Sequence, residues 1–183
     1  MATRTQATVE DLYHVADDGK AELVDGELIL ISLTGLMPSR AASNIYMRLR
    51  RHEKTIPNGW AIADNTRFVV NLPRRKSFSP DAAFYIGQPT GMKFLQGAPV
   101  FTVEVRSEED YGPAAERRMA QKRADYFAAG TLVVWDVDLL NPDVVKAYGV
   151  DDPSTPRIFR KGDIADAEPA VPGWRMPVDE LFE

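Results

Sequence analysis

Asp81 and Glu104 each interrupt a run of apolar residues. Asp81 follows Pro80 at the head of Ala82-Ala83-Phe84-Tyr85-Ile86, and Glu104 sits inside Val100-Phe101-Thr102-Val103-Glu104-Val105. A carboxylate in such a run costs several kcal/mol unless it is paired, protonated or bound to a metal. Two acids from neighbouring strands, with a cation on the next helix, can form an oxygen-ligand site for a divalent metal. The plainer alternative has Asp81 capping a turn and Glu104 pairing with Arg106 or Lys122. Spacing alone does not separate the two.

The cation belongs to a predicted helix over residues 113–129, ended by Gly130 as a C′ glycine. Ala115, Met119, Lys122 and Tyr126 follow helical spacing and share one face. Lys122 therefore lies beside the packed stripe, from where its ammonium either snorkels to water or points at Asp81 and Glu104. The acidic Ser107-Glu108-Glu109-Asp110 stretch is expected to cap this helix. Residues 132–137 follow at once as a buried-looking strand. Strand, helix, strand in this order predicts a crossover, with the last strand parallel to that of residues 100–105.

Upstream, Thr8 followed by Asp11 predicts a capped helix over residues 9–16, ended by Asp17-Asp18-Gly19. Asp25-Gly26 between two apolar runs predicts a hairpin, with arms at 21–24 and 27–32. Glu22 in its first arm reads as a solvent-facing strand residue. Residues 34–38 form a predicted loop, and Ser39 is the expected cap of a helix with Ala41, Ile45, Leu49 and His52 on one face. Its other side carries Arg40, Arg48, Arg50, Arg51 and Lys54, either a solvated face or a contact for phosphate groups. Residues 60–64 and 67–72 are expected to form two short strands or one strand with a bend. The basic loop Pro73-Arg74-Arg75-Lys76 leads straight to Asp81, as a phosphodiester substrate would require. Strands are expected at 81–86, 144–148 and 157–159, a Gly- and Pro-rich loop at 87–97, and a short helical turn near the end.

The 183 residues suit one domain spanning 1–183. The absence of cysteine excludes disulfides, thiolate zinc sites and a cysteine nucleophile. With only His14 and His52 available, a histidine-rich metal site or a Ser-His-Asp triad is not expected, and His52 stays open as a lone base. A metal would be held by carboxylates, carbonyls and water, which favours magnesium or manganese. The net charge of −5 argues against binding nucleic acid through bulk charge, but leaves room for a local basic patch. The N-terminus has no apolar signal core, and no run approaches the roughly 18 apolar residues a membrane helix needs. A cytoplasmic protein is the expectation.

Taken together, Ala-Glu-Leu-Val-Asp-Gly-Glu-Leu, Ser-Pro-Asp-Ala-Ala-Phe, Val-Glu-Val-Arg-Ser and Lys-Arg-Ala-Asp-Tyr-Phe-Ala-Ala-Gly-Thr-Leu-Val-Val-Trp-Asp-Val-Asp are collinear over residues 21–148. The ordered set resembles the Uma-two family of restriction-endonuclease-like proteins, within the PD-(D/E)XK nuclease superfamily. The resemblance implies an α/β fold of the α+β kind, a mixed sheet flanked by helices with an N-terminal hairpin. It implies that Asp81, Glu104 and the Val105 carbonyl hold Mg2+ or Mn2+, and that Glu22 reaches the same site, where it holds a second metal, a water or Lys122. The superfamily's usual lysine would stand at Arg106. The family resembled lacks it and uses one on the following helix, a position that Lys122 matches. Arginine does not deprotonate, so Arg106 suits charge stabilisation rather than base chemistry. The histidine that members often carry at the start of the second helix is Pro38 here. The implied activity is metal-dependent endonuclease cleavage of nucleic acid, with DNA the expected substrate. Catalytic roles fall to Glu22, Asp81, Glu104 and Lys122, and a homodimer is expected because double-strand cleavage needs two sites. The alternatives are a non-catalytic binding or dimerisation module on the same fold, and a hydrolase acting on another anionic ester.

Overall fold

The computed structural model describes residues 6–15, 20–32 and 34–183. Helix α1 (Val9–Tyr13) starts at Thr8, whose backbone N–H and hydroxyl both donate to the Asp11 carboxylate, at 2.6 and 2.8 Å. The helix ends at Tyr13, capped by His14, short of the predicted residue 16, while residue 16 and the Asp17-Asp18-Gly19 stop lie outside the described residues. Strands β1 (Lys20–Val24) and β2 (Glu27–Ile31) form the expected hairpin, and Asp25 and Gly26 both take positive φ at its turn. Ala21 and Leu23 point one way, into a small core with Leu12. By strand alternation Lys20 and Glu22 point the other way.

Helix α2 (Leu36–His52) starts three residues before the predicted Ser39 cap. Pro38 lies within its first turn, where the N–H that proline lacks has no partner inside the helix. Ala41, Ala42, Ile45 and Leu49 are buried, close to the predicted stripe. A short 3-10 turn (Glu53–Thr55) leads to β3 (Gly59–Ala63), followed by β4 (Phe68–Val69), β5 (Ser77–Phe78), β6 (Ala82–Ile86), β7 (Leu95–Gln96) and β8 (Phe101–Val105). Helix α3 (Pro113–Ala128) stops at Gly130, with φ of 105°. The predicted acidic cap does not form. Asp110 instead accepts from the N–H and hydroxyl of Ser107, and α3 starts from Gly112 with Pro113 in its first turn. Five further strands complete the chain: β9 (Val133–Val137), β10 (Val145–Gly149), β11 (Asp152–Phe159), β12 (Ile164–Asp166) and β13 (Arg175–Pro177). A 3-10 segment (Val178–Phe182) follows.

The main sheet has the order β11-β10-β9-β8-β6-β3. Within this sheet, β8 and β9 are the parallel pair, joined by α3 as the predicted crossover, and the other neighbours are antiparallel. Side chains alternate across this sheet. Ala82, Phe84, Phe101, Val103, Val133 and Trp135 face α2 and the C-terminal segment. Ala83, Tyr85 and Val134 face Tyr126 of α3 and the three-stranded sheet β5-β4-β7. Glu104 and Asp136 are register partners on β8 and β9, so both stand on the α3 side. The edge strand β11 carries Pro153 and Pro156, which a central strand would not tolerate. The β12–β13 pair was not anticipated, because its arms are only three residues long and separated by a proline-rich segment.

Candidate active site

The α3 face of the sheet brings together four of the residues singled out in the sequence. Glu22 comes from β1, Asp81 from the entry to β6, Glu104 from β8 and Lys122 from α3. The Lys122 ammonium is 2.8 Å from Glu104 Oε2 and 2.9 Å from Glu22 Oε1. Of the alternatives for Lys122, the inward-pointing one holds, and the solvent-facing reading of Glu22 is overturned, since Glu22 is only 4% exposed. Its Oε1 also accepts the Ser79 N–H at 2.9 Å, and its Oε2 pairs with Arg75. Glu104 pairs with Lys122 and not with Arg106. Its second oxygen accepts the Tyr126 hydroxyl at 2.7 Å. Asp81 Oδ2 accepts the Val105 N–H at 2.8 Å, and Oδ1 meets the Lys20 ammonium at 2.9 Å. Lys20 also reaches Asp64, at 2.6 Å.

Burial pushes the Glu104 carboxyl up to about 7; Lys122 opposes the shift, and the neighbouring Asp81 and Glu22 charges add to it. Glu22 is buried as well, but Lys122 and Arg75 outweigh the desolvation and hold it below the usual carboxylate range. Burial would lower both lysines. Glu104 and Glu22 outweigh this at Lys122, while Asp81, Glu104 and Asp64 do so at Lys20, so both ammoniums stay charged.

The basic loop does not present free cations. Arg74 pairs with Asp25 at the hairpin turn, and Lys76 donates to Asn71 and to the Leu72 carbonyl. Arg75 turns inward, bridging Glu22 and Asp125 while its guanidinium lies 5.0 Å from the Phe78 ring centroid. Phe78 stacks on Tyr126 at 4.0 Å, so one packed stack supports both the Glu22 and the Glu104 partners. Arg106 forms a separate knot. It makes a two-pronged bond with Asp136, pairs with the more exposed Glu116, and lies over the Tyr111 ring. His52 donates to the Pro172 carbonyl and is taken up by the C-terminal segment. On the basic side of α2, Arg48 pairs with Glu180 and Arg50 with Glu53.

A pocket of about 120 Å3 opens beside Asp81, lined by Thr34, Pro38, Ser39, Ser43, Tyr46 and Asp64 among others. Pro38, where the resembled family often has histidine, is thus at the site's entrance. The donors fit a magnesium-type ion by their chemistry. They are hard oxygens, and such an ion uses one or two carboxylates, completing its shell with water, carbonyl and phosphate oxygens. Among the described residues no group of three acids or histidines converges as a closed metal cage.

Lys20, Asp64, Arg75 and Tyr126 were not assigned to the site from sequence. Two of them had a signal available. Lys20 lies two residues from Glu22 on a strand, and Tyr126 four residues from Lys122 on a helix, so each must share its neighbour's face. Arg75 and Asp64 enter from loops, which carry no such period.

A mixed sheet whose central parallel pair is joined by a helix, with a carboxylate–lysine cluster on the crossover face, defines the restriction-endonuclease-like fold. The chain belongs to the Uma2 family, described as "putative restriction endonuclease", whose pattern it matches over residues 7–179. In structure it is similar to a crystal structure from Anabaena variabilis titled "a putative nuclease belonging to DUF820". The TM-score is 0.73 at 16% identity, covering 96% of this chain and 97% of the other. Among curated proteins none matches. No described helix is long and apolar enough to cross a membrane.

Proposed function

We propose that the protein hydrolyses phosphodiester bonds in nucleic acid, with DNA as substrate, using a magnesium or manganese ion. The observation that carries this reading is the Lys122 ammonium held between Glu22 and Glu104, on the sheet face that Asp81 also borders. Asp81, Glu104 and the Val105 carbonyl would hold the ion. When bound there it supplies a Lewis acid for the phosphate and lowers the pKa of a bound water.

The protein's own residues do the positioning. Tyr126 and Lys122 fix the Glu104 carboxylate through its two oxygens, and the Val105 N–H fixes Asp81. Glu22, anchored by Arg75 and the Ser79 N–H, holds Lys122 in place. Lys122 stabilises the negative charge that develops on the phosphate. Arg106 takes no part, because its guanidinium is committed to Asp136 and Glu116. The substrate approaches by the pocket beside Asp81. The chain acts as one domain in the cytoplasm, and a homodimer supplies the two sites that duplex cleavage needs.

The test is a cleavage assay on linear and supercoiled DNA and on single-stranded DNA and RNA, with Mg2+ or Mn2+ and with chelator. Metal-dependent cleavage, lost in Asp81→Asn and in Glu104→Gln, is expected. Activity that survives in purified Asp81→Asn rules this site out. Absence of cleavage and of metal binding in the parent protein selects the non-catalytic module.

A further inference from the structure

Lys20 is a site cation that the proposed chemistry does not use. It precedes Glu22 by two residues on β1, so the strand itself carries both side chains to the same cluster. Its ammonium lies 2.9 Å from Asp81 Oδ1, while Asp81 Oδ2 is already engaged by the Val105 N–H. The oxygen of Asp81 left to take a cation is therefore the one that Lys20 occupies. The ammonium charge also acts on Glu104. On its other side, at 2.6 Å, stands Asp64, whose carboxylate is about half exposed at the rim of the Asp81 pocket.

This placement has a physical rationale. The Asp81 and Glu104 charges repel one another, and their repulsion is felt most where water is scarce. Lys122 is committed to Glu104 and Glu22, so a second cation offsets the Asp81 charge whenever no metal is bound. A lysine suits that task because its ammonium is a compact charge on a flexible four-carbon stem. Asp64 offers it a second partner, so the side chain can leave Asp81 without losing its ion pair.

We propose that Lys20 is a displaceable placeholder for the metal ion: it neutralises Asp81 in the metal-free protein, as Lys122 does Glu104, and withdraws onto Asp64 when a divalent cation takes its position. The inference rests on the reading of Asp81 and Glu104 as metal-holding residues and deepens it. The ammonium competes with the ion, so this protein binds metal more weakly than its carboxylates alone would allow, and in exchange its metal-free site is stable.

The test is calorimetric titration with Mn2+ of the parent, Lys20→Met, Asp64→Asn and the double variant, with melting curves recorded in chelator. Lys20→Met is expected to tighten Mn2+ binding about tenfold, as loss of one nearby like charge implies, and to lower the metal-free Tm. Asp64→Asn is expected to weaken binding in the parent background and to have no effect in the Lys20→Met background, because a refuge matters only while the lysine is present. Unchanged or weaker Mn2+ binding by a cooperatively folded Lys20→Met overturns the proposal. So does an Asp64→Asn loss that persists in the double variant, which would make Asp64 itself a ligand. If Lys20→Met does not fold, Lys20→Gln serves in its place. Parent binding that disappears in Asp81→Asn but is indifferent to Lys20 sinks the placeholder and leaves the metal site standing. No binding by the parent or by Lys20→Met sinks both.

Discussion

At the scale of single residues, the site is a chain of alternating charges whose members have different exposure and so different worth. Lys122 sits between two carboxylates with its side chain 18% exposed. Its removal leaves Glu22 and Glu104 facing each other with one fewer cation. Lys122→Met is expected to destabilise the protein by about 3–5 kcal/mol, the range for breaking one side of a buried pair, as read by urea denaturation. It is also expected to abolish cleavage while Mn2+ binding stays as tight as in the parent or tighter. Loss of metal binding in a folded Lys122→Met would make the lysine a structural clamp rather than a catalytic group. Tyr126→Phe deletes a hydroxyl that donates to Glu104. A cost of about 1.5–3 kcal/mol is expected for a hydrogen bond to a charged group. A variant as stable as the parent would show that Glu104 finds another donor.

At the scale of elements, the parallel pair β8–β9 is held at its outer end by Arg106 and Asp136, each with a side chain only 4% exposed. Arg106 grips the neighbouring strand on one side and Glu116 of α3 on the other, so one guanidinium ties two strands to the crossover helix. Asp136→Asn leaves that guanidinium without its buried charge partner and is expected to cost about 3–5 kcal/mol. Glu116 is 54% exposed. Glu116→Gln is therefore expected to cost no more than about 1 kcal/mol, the usual ceiling for an exposed pair. Equal losses in the two variants, compared by their melting temperatures, would contradict this division. Nearby, Tyr111 donates to the buried Asp138, and burial together with that carboxylate pushes its phenol up to about 12.

At the scale of the whole molecule, the C-terminal segment closes over α2. Arg40 donates to the Glu183 carbonyl, Asn44 to that of Glu180, and Arg48 pairs with the Glu180 side chain. Arg48 holds the Glu180 carboxyl below its ordinary value of 4.5. A lowered carboxylate contributes stability above its unfolded-state pKa and loses it as pH falls through the lower folded-state value. The Tm difference between the parent and Glu180→Gln is therefore expected to be constant from neutral pH down to about 4.5, then to shrink toward zero as the pH falls further. A difference that grows on acidification would contradict the pairing.

What the sequence determined by itself were the features with a local cause. The Asp25-Gly26 turn, the helix stop at Gly130 and the parallel β8–α3–β9 unit follow from backbone preferences and from strands too apolar to sit at an edge. Asp81 and Glu104 were conspicuous as acids in apolar surroundings, and the ordered motifs attached Glu22 and Lys122 to them. Which partner each charge takes was decided only by tertiary structure. Lys122 was free to snorkel and Glu22 to face water until β1 packed against β5 and α3 packed on β9, beside Glu104 of β8. The same packing turned Arg75 from a substrate-facing loop cation into a buried anchor for Glu22, and drew Lys20 onto Asp81. Local rules describe the path of one segment. The pairing of charges depends on how much water each pair loses, and that is set only when distant segments close over one another.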